Sequence, residues 1–205
     1  MFARQRMLTA LSFITSSAEY YKLSAKLREI GLAEYTGGGP LCRWHYEELI
    51  IDIMPTDPSV LGFSNSWYMP GISKSITYNL PSGQPIWIFP LPYLLASKIE
   101  AFNSRGKRDF YGSPDLEDIV SLLDGCPDLE EEVRQADADV RTFVKEWLKT
   151  EKETLREIAP AHLSFVARKA GRQKLLLSLL ERLAQLVSAR VIGNFPCICF
   201  KILRY

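Results

Sequence analysis

Apolar residues recur at helical spacing early in the chain. Tyr20, Leu23, Leu27 and Ile30 share one face, Ser16 and Glu19 stand at capping-box spacing before them, and Gly31 supplies a stop. A helix is predicted there. After the TGGGP loop the rhythm changes: LCRWHY (41–46) and LIIDIM (49–54) read as two strands joined through Glu47 and Glu48, a hairpin without a strong turn signature. From PTDPSV to MPGIS the chain reads as loop. SITYNL (75–80), PSGQ and PIWIF (85–89) form a second hairpin, with Pro and Gly where a turn wants them. Pro90 and Pro92 admit a helix at LPYLLASKIEAFNS, and Ser113, Pro114 and Gly125 frame another at SPDLEDIVSLLDG. The remainder, from Leu129 to about Val187, is helical and charged.

Helix, hairpin, hairpin and then helices only is the order of an α+β protein whose sheet occupies the first half. The expected division is an α/β core over 1–125, a helical region over 126–187, and an atypical apolar tail over 188–205 that has neither period. Residues 1–15 are expected to make a strand or an irregular edge.

One position violates the pattern. Leu49, Ile50, Ile51, Ile53 and Met54 are strand-formers at both parities, so the run reads as buried on two faces. Asp52 sits in its middle, and a buried carboxylate requires a cation, a metal or several donors. Either Asp52 ties down the Pro55–Asp57 turn or it points into a site.

Composition narrows the classes. The 205 residues are 47% hydrophobic and 24% charged with a net charge of +1, so no global field draws the chain to nucleic acid or membrane. Cys42 and Cys126 stand alone, Cys197 and Cys199 are too close for a metal knuckle, and His45 and His162 are the two imidazoles. Reduced thiols and a cytoplasmic setting are expected. The start, MFARQRMLTALSFITSSAEYY, imitates a signal peptide, but its apolar run is short and interrupted by Thr and Ser. No apolar stretch is long enough to span a bilayer, and no membrane partner is expected.

Three further groups carry candidate chemistry. Lys98 lies among the core-facing Leu94, Leu95, Ile99 and Phe102, with Ala96, Ser97 and Ala101 leaving space beside it. It either snorkels to water or reaches a phosphate as a point charge. Arg105, Lys107 and Arg108 cluster around Gly106 just past that helix, either as a solvated loop or as a clamp on a polyanion. Asp115, Glu117 and Asp118 fall in the next helix's first turn, where the dipole favours acids; Asp115 can also orient a basic residue of the loop.

Together DIMPTD, LGFSNSWY, LPYLLASKIEAF, RGKRDFYGSPDLEDIV and SLLDG resemble the nucleotidyltransferases of AbiEii/AbiGii type, the toxin halves of type IV toxin–antitoxin systems. The resemblance runs in order from about Ser16 to about Leu186. It implies a fold like that of polymerase-beta-like nucleotidyltransferases: a mixed sheet in the N-terminal half, here incomplete, packed on helices, with a helical C-terminal part. It also implies transfer of a nucleotide from an NTP to an RNA or protein acceptor with Mg²⁺, and a cognate antitoxin as partner. By resemblance Asp52 matches the third carboxylate and a metal ligand, and Asp115 matches the acid after the basic loop. Lys98 matches the lysine that contacts the nucleotide phosphates, and Arg105, Lys107 and Arg108 beside it are the further nucleotide-binding candidates.

The family opens with a Gly-Gly or Gly-Ser turn and a strand bearing an Asp-x-Asp metal pair, just before the helix that here begins near Ser17. In this chain FARQRMLTALSFIT holds that place, without Asp, Glu or Gly. The metal pair and the phosphate-cradling turn are missing. The expectation is an incomplete Mg²⁺ site and no transfer. The alternatives are a non-catalytic nucleotide-, RNA- or antitoxin-binding relative, or a truncated gene product without function.

Overall fold

The structure is a computed structural model that describes residues 6–12, 14, 16–38, 42–58, 65–104 and 108–186. Residues 1–5, part of LGFSNSWY, Arg105, Lys107 and the 188–205 tail therefore lie outside the described residues. The chain is α+β, with a small mixed sheet in its first part and helices in its C-terminal part. Two compact units divide between Met69 and Pro70.

In the first unit, β1 (Arg6–Ser12) precedes helix α1 (Ser17–Glu29). The helix begins where the capping residues predict. The Ser16 side chain accepts from the Glu19 N–H at 3.3 Å, satisfying one of the otherwise orphaned first-turn donors. It ends in a Schellman closure, with Leu32 N–H donating to the Leu27 carbonyl at 2.9 Å and Gly31 N–H to Arg28 at 3.0 Å. Gly31 takes a φ of 93°, which a side chain would oppose.

Strands β2 (Ala33–Glu34), β3 (Arg43–Tyr46) and β4 (Leu49–Pro55) complete a sheet in the order β1-β4-β3-β2. β1 is thus a strand, and it runs parallel beside β4 with Thr9 across from Asp52. β3 and β4 form the expected hairpin, Tyr46 opposite Leu49, around a Glu47-Glu48 turn. The weak turn signature has a cost in geometry: Glu47 sits at a φ of 51°, where Gly or Asn would be at ease. Trp44 and Cys42 are fully buried, and the Arg28 guanidinium of α1 lies 5.8 Å over the Trp44 ring.

Where MPGIS was expected to be loop, Tyr68–Ser73 is a short helix, α2. Asn65 starts it: its side chain accepts from Trp67 N–H at 3.1 Å, and its carbonyl accepts from Tyr68 N–H at 3.1 Å. This Asx turn outweighs the poor helix propensity of Pro70 and Gly71.

The second unit holds the β5–β6 hairpin (Ile76–Asn79 and Pro85–Ile88), with Gly83 at a φ of 83° in its turn. Its helices are α3 (Leu91–Ser104), α4 (Pro114–Gly125), α5 (Leu129–Gln135), α6 (Ala138–Thr150), α7 (Lys152–His162), α8 (Phe165–Lys169) and α9 (Gln173–Ala184). The apolar stripe of α3 does what its spacing predicts: Leu95, Ile99 and Phe102 are fully buried. Phe102 meets Phe110 and Trp147 edge-on, at ring distances of 5.0 and 6.0 Å. Leu116, Ile119 and Leu122 of α4, Leu148 of α6, Leu155 of α7 and Leu176 and Leu183 of α9 fill out the core. Burial of each such side chain is worth about 1.5–3 kcal/mol, which is what holds short, highly charged helices together. Among the described residues, no helix is long and apolar enough to cross a membrane.

Candidate functional site

Asp52 belongs to the first unit, and its environment follows from strand geometry. It shares the more buried face of β4 with Ile50 and Met54. Across the hairpin, Arg43 of β3 is its direct partner in register. The guanidinium makes a fork: Nε donates to Oδ1 at 2.7 Å and Nη2 to Oδ2 at 2.8 Å. The two side chains are 22% and 10% exposed, so the pair is largely withdrawn from water. The bond to Asp52 raises the Arg43 pKa further, keeping the cation charged against burial. A bidentate, mostly dry ion pair of this kind explains how a carboxylate survives in an apolar strand. Both Asp52 oxygens are engaged by this one partner.

Beside it, β1 contributes Thr9 at the register position of Asp52, and Leu8, Ala10 and Leu11 on either side. None is a carboxylate. Among the described residues, no group of three His, Cys, Asp or Glu side chains is arranged to hold a metal ion. A shallow cavity of about 330 Å³ opens elsewhere on the hairpin, bordered by Tyr35, His45, Glu47 and Glu48.

Lys98, Asp115 and Asp118 form a second cluster, in the second unit. Lys98 projects from α3 between the small residues Ser97 and Ala101, which are both buried. Its ammonium lies 2.5 Å from Asp118 Oδ2 and 3.7 Å from Asp115 Oδ1. Lys98 thus meets Asp115, but Asp118 is the closer and more deeply buried partner, 4% exposed against 8%. Snorkelling to water is replaced by a helix–helix ion triad. Its place near a helix start gives Asp118 a dipole explanation that hides this role in the sequence. The available signal was positional: Asp118 is flanked by the core residues Leu116, Ile119 and Val120, so an acid there needs a cation from a neighbouring helix.

The loop after α3 is built tightly. Arg108 takes a φ of 56° and pairs with the buried carboxylate of Glu151. Asp109 Oδ1 accepts from Tyr111 N–H and Gly112 N–H, both at 3.0 Å, and these two bonds hold its pKa below the usual carboxylate range. A Cβ at Gly112 would stand 2.8 Å from Asp109 Oδ2 and would push that carboxylate out of its place. Of the three loop cations, Arg108 is thus committed to an internal pair, while Arg105 and Lys107 lie outside the described residues.

Chemically, both clusters are internally satisfied. The first is a carboxylate neutralised by one guanidinium, and the second places two carboxylates around one ammonium. No family model, curated protein or solved structure matches this chain.

Proposed function

We propose that the chain is a non-catalytic relative of the nucleotidyltransferases of AbiEii/AbiGii type, working in the cytoplasm. The observation that carries this reading is the strand β1: it lies parallel beside Asp52, where a metal-binding acid pair is needed, and it brings Thr9 instead. The cation that Asp52 meets is Arg43 rather than a metal. Phosphoryl transfer relies on cations that neutralise charge on the transferring group, and a hard divalent ion is held by several oxygens. A single carboxylate with both oxygens on an arginine does not fit Mg²⁺, so no Mg²⁺-dependent step is assigned to these residues.

The internal pairing of Lys98 supports the same reading, since its ammonium already contacts Asp118 at 2.5 Å and Asp115 at 3.7 Å and would have to give up those contacts to meet a triphosphate. Weak NTP binding through Lys98 and the Arg105–Arg108 loop is the most this arrangement supports. The remaining role in the family's repertoire is binding, to an RNA or to a cognate antitoxin.

The test is label transfer. Incubated with Mg²⁺, each α-labelled NTP and RNA or protein acceptors, the purified full chain transfers no label. A version with a Gly-Ser turn and an Asp-x-Asp strand restored from a related sequence serves as the positive control. Robust transfer by the unaltered chain overturns the reading.

A further inference from the structure

Between Ile158 and Leu180 the chain has no Asp or Glu, but it has Arg168, Lys169, Arg172 and Lys174. The middle of this stretch is the corner between α8 and α9. From Ser164 to Leu175, Ala167 is buried and Arg172 half-buried, and every other residue is exposed. Three of the exposed side chains are large and apolar: Phe165 at 64%, Val166 at 75% and Leu175 at 69%. Several large exposed apolar groups within one short turn-linked stretch point to an interaction site.

The corner is fixed in shape. Ser164 caps α8, its Oγ accepting from Ala167 N–H at 3.1 Å. A Schellman closure ends the helix, with Arg172 N–H donating to the Ala167 carbonyl at 3.1 Å and Gly171 at a φ of 69°. Arg172 is tied back to Asp124 at 2.9 Å. Arg168, Lys169 and Lys174 have no carboxylate partner among the described residues, and Lys169 lies 5.0 Å over the Phe165 ring.

Two properties select the occupant. Cations without nearby acids attract an anion, and exposed aliphatic side chains gathered beside them favour a face that is not water. A nucleic-acid backbone meets the first requirement only: base stacking has Phe165 to use, and Val166 and Leu175 stay wet. An anionic bilayer surface meets both, with headgroups on the cations and apolar side chains at the headgroup–acyl boundary. We propose that the α8–α9 corner docks reversibly on an anionic membrane surface through Phe165, Val166 and Leu175, with Arg168, Lys169 and Lys174 on the headgroups. Such a contact needs no spanning helix, and it is independent of the nucleotidyltransferase reading.

Flotation of the full chain with vesicles tests it. Binding is expected to vesicles of phosphatidylcholine with about one third phosphatidylglycerol, not to phosphatidylcholine alone, and to weaken with salt. A cation near such a surface is worth roughly fivefold in partition, so Lys169→Glu/Lys174→Glu should lower binding about 25-fold or more. Phe165→Ser/Leu175→Ser should also abolish most of it, with Tm unchanged because both positions are exposed. Absence of binding to the anionic vesicles overturns the proposal. So does binding that ignores the apolar pair, which leaves charge alone. Salt-sensitive capture of a fluorescent single-stranded RNA by the same cations, without vesicle binding, assigns the corner to nucleic acid instead.

Discussion

Glu132 offers a quantitative test of how the second unit is packed. It lies on α5, one of its oxygens accepts from the Leu91 N–H that opens α3, and its Oε1 is buried without a partner. Burial pushes its pKa up from 4.5 to about 7; the Leu91 N–H works against that shift and the neighbouring Asp128 adds to it. The folded chain therefore holds a proton that the unfolded chain gives up. Below pH 4.5 both states are protonated and nothing is lost. As pH rises through 7 the stability that depends on the neutral carboxyl disappears. A shift from 4.5 to about 7 corresponds to about 3.4 kcal/mol, and because the side chain is half-exposed, solvent screening reduces this to roughly 1.5–2 kcal/mol. Glu132→Gln keeps an acceptor for Leu91 and removes the charge. Thermal unfolding of both proteins at pH 5 and pH 8 reads the effect directly. The variant should melt close to the parent at pH 5 and about 3–8 °C above it at pH 8. Other titrating groups are common to both proteins and cancel in the difference. A gap that is the same at both pH values, or larger at pH 5, would refute the burial argument.

The Arg43–Asp52 fork should be stability-critical: Arg43→Ala or Asp52→Ala costs about 3–5 kcal/mol in urea unfolding, and a double-mutant cycle shows coupling above about 1 kcal/mol. An additive cycle would mean the two side chains do not meet as described. Lys98→Met should cost about 3 kcal/mol by removing the cation 2.5 Å from the buried Asp118 carboxylate, and Asp118→Asn should cost more than Asp115→Asn, in the order of their distances to Nζ. Glu47→Gly, which relieves the left-handed turn residue, should raise stability by about 0.5–1 kcal/mol, and a loss of stability would show that Glu47 is not strained there.

Local signals in the sequence were sufficient for local structure. Ser16 and Gly31 bracket α1, and Pro90 and Pro92 open α3, because caps and prolines act within one turn. Arg43 is a partner that the hairpin itself makes legible. Placing Glu47 and Glu48 in a two-residue turn already sets Arg43 opposite Asp52, so the hairpin itself contained the carboxylate's partner. Asp118 was legible only in part: the face of α4 it occupies follows from spacing, but which helix would face it does not. The pairing of β1 with β4 was expected from the family resemblance and has no sequence-local cause. The helix at Tyr68–Ser73 was hidden because its start depends on one asparagine side chain while Pro70 and Gly71 argue against it.

The parallel pairing of β1 with β4 also has a consequence in time. β3 and β4 are joined by two residues and can zip as soon as both are made, but Arg6 pairs with Leu49, 43 residues further on. At synthesis rates of about 5–20 residues per second, β1 waits roughly 2–9 seconds for its partner strand. Throughout that interval its backbone donors and acceptors have no neighbour within the sheet, and unpaired strands are templates for association with other chains. Of the four strands of this sheet, the one made first is therefore the last to be secured. The yield of folded protein should consequently depend on how fast residues 6–55 are translated, even where the final stability does not change.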